Sequence, residues 1–143
     1  MVIRKLLILL IITIPIAVPQ STTDTQRYII LKGDIIELSK IITGECGICD
    51  DKEKYLVGSV VLNRVLADSF PHTIREVIRE DNQFYAYQGA NYKDNNTEIA
   101  TNLILYNKHR NKKVLYFVHK KSYNGNFFGK KIVIVRKYHV FLK

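Results

Sequence analysis

Tryptophan is absent from this sequence, and cysteine occurs only twice, at Cys46 and Cys49. One intramolecular disulfide is the most the chain can form, which excludes the densely cross-linked frameworks that stand in for a core in very small secreted domains. Proline and glycine are sparse, at three and seven residues, and no internal repeat or low-complexity tract is present, so collagen-like and solenoid architectures are excluded. With 143 residues, 47% of them hydrophobic, the chain is long enough for one domain with a genuine core and not for two independent ones. Acidic residues are the other shortage: 13 Asp and Glu stand against 22 Lys and Arg, a formal charge of +9. That balance favours a polyanionic partner such as nucleic acid, an anionic membrane or an anionic wall polymer. Only KHRNKK at 108–113 is a dense basic cluster, with a looser group at Lys120, Lys121, Lys130, Lys131, Arg136 and Lys137. The plainer role of most of this charge is a solvated, soluble surface.

Long apolar runs are missing except at the start, where MVIRK is followed by LLILLIITIPIAV and then by PQSTTDTQ. A short basic start, a 13-residue apolar stretch and a polar exit form the pattern of a secretory signal. Crossing a bilayer takes about 20 apolar residues. Residues 1–20 are accordingly expected to be an export signal; because AVPQS is a poor small-x-small cleavage site, an uncleaved anchor giving transient membrane association is the alternative. Export would place the chain in the periplasm, the cell wall or the exterior, and argues against nucleic acid as its partner.

Residues 21–33 read as a linker, with the folded domain over 34–143. In GDIIELSKIITGE, Asp34 is an expected N-cap with Glu37 three residues on, and Ile35, Leu38, Ile41 and Ile42 share one side; this helix should end around Glu45 to Gly47. DDKEKYLVGSVVLNRVLADSF predicts a longer helix capped by Asp50 or Asp51, with Glu53 in its first turn and Tyr55, Leu56, Val60, Leu62 and Leu66 inward. Thr73 and Glu76 form a capping box for a short helix. DNQFYAYQGANYKDNN reads as a polar, aromatic-rich loop, and NTEIATNLILYNKHR as a helix capped by Asn96, with Ile99, Leu103, Ile104 and Tyr106 inward. VLYFVHK and KKIVIVRKYHVFLK are β-branched and aromatic runs separated by SYNGNFFGK, which predicts extended segments joined by turns. The fold class is mainly α, or α+β: four helices followed by a small β part.

The C-x-x-C at 46–49 admits several chemistries. A thioredoxin-type dithiol should follow a strand and open a helix, so that the helix N-terminus lowers the thiol pKa; here Cys46 follows a helix and Cys49 precedes the next cap. A zinc site would need two more ligands from His72, His109, His119 and His139, none of which has paired spacing. In an exported protein a short disulfide is the simplest reading, and two small buried thiols the plain alternative.

Glu45 stands out through what accompanies it. After it come VVLNRV at 60–65, FPHTIREVI at 70–78, QF at 83–84 and HVF at 139–141. This order and spacing resemble the SleB-type cell wall hydrolases, the peptidoglycan-cleaving family that includes spore cortex-lytic enzymes. Their pattern is A-E-A-x-G-E, then V-V-L-N-R-V, F-P-x-T-I-x-x-V-I, a Q-F pair and a late G-x-H-V-F-Y. The resemblance covers about residues 35–142 and implies a lysozyme-like helical domain acting on peptidoglycan glycan strands. Carried over by position, the catalytic acid falls on Glu45, the cleft-forming pair on Gln83 and Phe84, and the late histidine on His139, with Gln83, Phe84 and His139 expected among the substrate-binding residues. Cys49 stands where the family has its second glutamate, RKY replaces the glycine-rich approach to the histidine, and the frequent C-terminal tryptophan is missing.

Glycoside cleavage needs a proton delivered to the leaving oxygen, and a carboxyl partly buried at a helix end can hold one near neutral pH. Most glycosidases add a second carboxylate, but Asp50 and Asp51 are expected to cap a helix. A lytic transglycosylase needs only one glutamate, because the C6 hydroxyl of the muramic acid attacks, and this is the activity the resemblance implies. Tyr85, Tyr87, Tyr92, Tyr116 and Tyr123 are candidate sugar-contacting groups, Tyr85 and Tyr123 foremost. The implied enzyme uses no metal and no cofactor, serves in wall turnover or in cell lysis of the endolysin type, and takes peptidoglycan and other anionic wall polymers as partners. A catalytically degenerate wall-binding protein and an exported dithiol oxidoreductase are the competing readings.

Overall fold

A computed structural model describes residues 20–81, 83–84 and 94–143 of the chain. The apolar N-terminal run and the candidates Tyr85, Tyr87 and Tyr92 lie outside the described residues. Helix α1 spans Gln20–Cys46, α2 Asp51–Val65, α3 Ile74–Arg79 and α4 Asp94–Tyr106; strands β1 (Tyr116–His119), β2 (Ile132–Val135) and β3 (His139–Leu142) follow. The mainly helical α+β class is as expected.

Two helix starts differ from expectation. The backbone is helical from Gln20, through the segment expected as a linker, so Asp34 lies inside α1 and does not cap it. Helix α4 begins at Asp94, two residues before Asn96. Asn96 is buried instead and donates from Nδ2 to Thr43 Oγ1 of α1 at 2.6 Å, a polar cross-link between helices. The other caps are as expected: Asp50 Oδ1 accepts from the Glu53 N–H at 2.8 Å, and Thr73 Oγ1 from the Glu76 N–H at 3.2 Å.

The core is built where the four helices meet. Leu38, Ile41 and Ile42 of α1, Val57, Val60 and Val61 of α2, Val77 of α3 and Leu103 of α4 are buried together. Each such side chain contributes about 1.5–3 kcal/mol when removed from water. Gly58 permits this crossing: a Cβ there would lie 2.5 Å from Leu103 Cδ1 and 3.2 Å from Ile42 Cδ1. Leu66 and Tyr106, expected inward, face solvent: Leu66 is the C-cap just past α2 and Tyr106 the last residue of α4.

The sheet has the order β1-β3-β2, all antiparallel. β3 is central and buried along its whole length, and HVFL accordingly carries only one polar residue, His139, at its start. In register, His139 pairs with His119 of β1. α2 also anchors the crossover from α4 to the sheet: Asn63 Nδ2 donates to the Asn111 and Val114 carbonyls, and Asn63 Oδ1 accepts from Arg110.

Candidate active site

Helix α1 delivers Glu45 and Cys46 at its final turn. Cys46 is buried and Glu45 half-buried, so the carboxyl lies at the margin of the core. The helix ends in a tight reversal. A Cβ on Gly47 would stand 2.7 Å from the Thr43 carbonyl oxygen, so glycine is required by the close approach of backbone. The Cys49 N–H then returns to the Cys46 carbonyl at 3.0 Å, and the two side chains form a disulfide. A covalent clasp thus closes directly after Glu45.

The clasp rests on a buried polar cluster. Glu53 sits in the first turn of α2, fully buried. Its Oε1 accepts from the Tyr138 N–H at 3.0 Å, from the His139 N–H at 2.8 Å, and lies 3.0 Å from His139 Nδ1. His139 Nδ1 is also 4.0 Å from Cys46 Sγ. Burial holds the His139 imidazole below its usual pKa of 6.5, against the opposing pull of Glu53. The neutral ring donating to the carboxylate satisfies this geometry.

The carboxylates nearest Glu45 in sequence are committed elsewhere. Asp50 caps α2 and binds Arg136 Nη2 at 2.7 Å; the Glu53 backbone N–H, then Arg136, hold its pKa below the ordinary 3.8. Asp51 lies 3.9 Å from Lys54 Nζ. Glu53 faces the sheet.

The sequence-derived candidates fall into distinct places. Phe84 is buried against Phe117, with ring centroids 6.0 Å apart, and Phe117 meets the His139 ring edge-on at 5.3 Å. Phe84 and His139 are therefore joined through one shared aromatic, and His139, 4% exposed, reaches the site through its contacts to the clasp. Gln83 is exposed and its Oε1 accepts from Arg64 Nη1 at 2.8 Å. Tyr123 is half-buried beyond β1, its hydroxyl donating to the Gly125 carbonyl. A separate concavity of about 420 Å3, with Asp34, His72 and Arg110 in its wall, does not include Glu45.

Glu53 and Arg64 are the site residues that sequence reasoning missed. Both continue the buried stripe of α2, at positions 53, 56, 57, 60, 61 and 64; a charged residue on an apolar face was the available signal. Arg64 donates from Nε to the Leu115 carbonyl at 2.9 Å, and its guanidinium lies over the rings of Phe70, Phe84 and Tyr116. It therefore holds the Gln83–Phe84 segment against β1. Among the described residues, Cys46, Cys49, Glu53 and His139 form a group with the composition of a metal-ligand set. While the sulfurs are bonded to each other they hold no ion.

Comparison with known proteins places this geometry in context. The chain is similar in structure to the catalytic domain of the Bacillus cereus SleB protein, with 20% identity, a TM-score of 0.68, and coverage of 78% of this chain and 91% of that one. It is likewise similar to the catalytic domain of the germination-specific lytic transglycosylase SleB from Bacillus anthracis, with 22% identity, a TM-score of 0.65, and coverage of 78% and 95%. No curated protein matches the chain. The profile of the cell wall hydrolase family matches residues 50–142, a span that opens five residues after Glu45 and takes in the Glu53, Arg64, Gln83, Phe84 and His139 positions. The chain belongs to the cell wall hydrolase family.

Proposed function

We propose that this protein cleaves the β-1,4 bond between N-acetylmuramic acid and N-acetylglucosamine in peptidoglycan, as a lytic transglycosylase with Glu45 as its single acid and base. The observation that carries this reading is that Asp50, Asp51 and Glu53, the acidic residues that follow the half-buried Glu45, are each engaged by a cap, a cation or the sheet. With these three carboxylates engaged elsewhere, the one-glutamate route is favoured over hydrolysis through a nucleophile or a base-activated water. Glu45 protonates the glycosidic oxygen as the bond to C1 of the muramic acid breaks. The resulting carboxylate accepts the proton of the C6 hydroxyl as that oxygen closes on C1, giving a 1,6-anhydro end and returning Glu45 to its acid form. The domain over 34–143 carries the reaction, and the N-terminal segment supports export to the wall, where the positive charge favours anionic polymers. Gln83, Tyr85 and Tyr123 are proposed substrate contacts; Phe84 and His139 support the cleft from beneath.

Digesting purified peptidoglycan and resolving the muropeptides by mass spectrometry tests this. Anhydro-muramic ends are expected; reducing ends would mean a hydrolase. Cys49 in the position of the second motif glutamate favours a second reading, a binder without activity, which would sediment with peptidoglycan and leave the muropeptides unchanged.

A further inference from the structure

We infer that the Cys46, Cys49, Glu53 and His139 cluster is a redox-dependent zinc site: oxidised, it is closed by the disulfide; reduced, it binds one Zn2+ through two thiolates, an imidazole nitrogen and a carboxylate oxygen. The four side chains come from three elements, the end of α1 with its turn, the first turn of α2, and β3. One potential ligand atom from each lies within 4.8 Å of all the others, and all four residues are buried. Tetrahedral zinc, with bonds of about 2.0 Å to nitrogen or oxygen and about 2.3 Å to sulfur, sets its ligand atoms roughly 3.3–3.8 Å apart. The His139 Nδ1 to Glu53 Oε1 and His139 Nδ1 to Cys46 Sγ separations, 3.0 and 4.0 Å, bracket that range. The two sulfurs must part on reduction, and the Cys-x-x-Cys turn is the spacing at which structural zinc sites present a pair of thiolates.

An independent feature points the same way. Glu53 Oε2 is buried without a hydrogen-bond partner among the described residues, although Oε1 takes three donors. An orphaned carboxylate oxygen is costly in a dry interior, and a cation resolves it. On metal binding the neutral His139 ring changes tautomer, its proton moving from Nδ1 to Nε2 so that Nδ1 is free for the ion, while the Tyr138 and His139 backbone N–H groups continue to hold Oε1. Charge balances as well: two thiolates and a carboxylate around one divalent ion leave a single net negative charge, the same as the Glu53 carboxylate beside a neutral imidazole.

The conversion requires two electrons and two protons, supplied by a thiol-class reductant that leaves as its own disulfide; Zn2+ then displaces the two thiol protons. Either state fixes the turn behind Glu45, so the end of α1 is clasped in reducing and oxidising surroundings alike.

The test uses the full chain, reduced anaerobically with a phosphine and then given Co2+ as a spectroscopic probe. One cobalt per chain is expected, with thiolate-to-cobalt charge transfer and the intense visible bands of tetrahedral coordination, both displaced by Zn2+ and absent from the oxidised protein. Zinc should also protect both cysteines from alkylation by iodoacetamide. His139→Asn and Glu53→Gln should each weaken binding by about tenfold or more. A reduced chain that shows only weak octahedral cobalt bands, or whose cysteines alkylate equally fast with and without zinc, would overturn the inference. So would undiminished affinity in both variants. If either variant does not fold, alkylation protection of the wild-type chain decides alone. If the reduced chain unfolds, refolding on zinc addition supports the site and failure to refold refutes it.

Discussion

His139 Nδ1 lies 3.0 Å from Glu53 Oε1, joining the central strand to the first turn of α2 beneath the disulfide that follows Glu45. Three donors converge on that one oxygen, so Glu53→Ala should leave two backbone N–H groups and an imidazole N–H unpaired in the interior. A loss of about 3 kcal/mol or more is expected, with a smaller loss for Glu53→Gln, which keeps a carbonyl acceptor. Urea denaturation of the two variants checks the order; equal stability of Glu53→Ala and wild type would refute the bracing role.

The same pair sets a pH dependence. Burial lowers the folded-state pKa of His139 below 6.5, so the unfolded chain takes up the proton first. The sign follows: stability is fully present above about pH 6.5 and declines as pH falls through the folded pKa. Asp50, depressed below 3.8 chiefly by the Glu53 N–H, adds a separate loss at more acidic pH. Denaturation midpoints of wild type and His139→Asn, compared at pH 7.5 and 5.5, should differ in slope, the variant losing the first of these declines.

Arg64→Lys should destabilise by about 2–3 kcal/mol despite keeping the charge. Lysine cannot reproduce the donation from Nε to Leu115, the donation from Nη1 to Gln83 and the planar stacking over three rings at once. Thermal unfolding reads the stability, and proteolysis near Gln83 reads the release of that segment.

Gly47→Ala should act on the site rather than on the bulk of the core. The added methyl would meet the Thr43 carbonyl at 2.7 Å, so the turn must shift and Glu45 with it. A loss of about 1–3 kcal/mol is expected, together with a fall in the rate of muropeptide release larger than a stability change of that size would cause at saturating folded protein.

Glu45→Gln should remove the proton donor and leave the fold intact. Peptidoglycan cleavage should fall by about 10²–10⁴-fold, measured on purified sacculi with a cooperative urea transition checking that the variant is folded. Normal cleavage by this variant would refute the assignment of Glu45.

Much of the architecture is written in short-range pattern. Apolar residues at helical spacing, the Asp50 and Thr73 caps, the glycine at 47 and the β-branched C-terminal runs determine four helices and a small extended part, because each depends on neighbours within a turn or two; that the last run divides into β2 and β3 did not follow from it. The order of landmarks from Glu45 to His139 likewise pointed to the family without reference to space. Two helix starts escaped this reasoning: Asp34 and Asn96 have the chemistry of caps, yet packing continues both helices past them and puts Asn96 to use as a buried link to Thr43. The larger omission was Glu53, which local pattern treats as an ordinary first-turn acid. Its partner lies 86 positions away, and only the closing of β3 against α2 brings a carboxylate, an imidazole and a disulfide into one dry space. Sequence determined which residues could carry the chemistry; the tertiary structure decided which of them share an environment, because burial and charge pairing depend on distance through space and not along the chain.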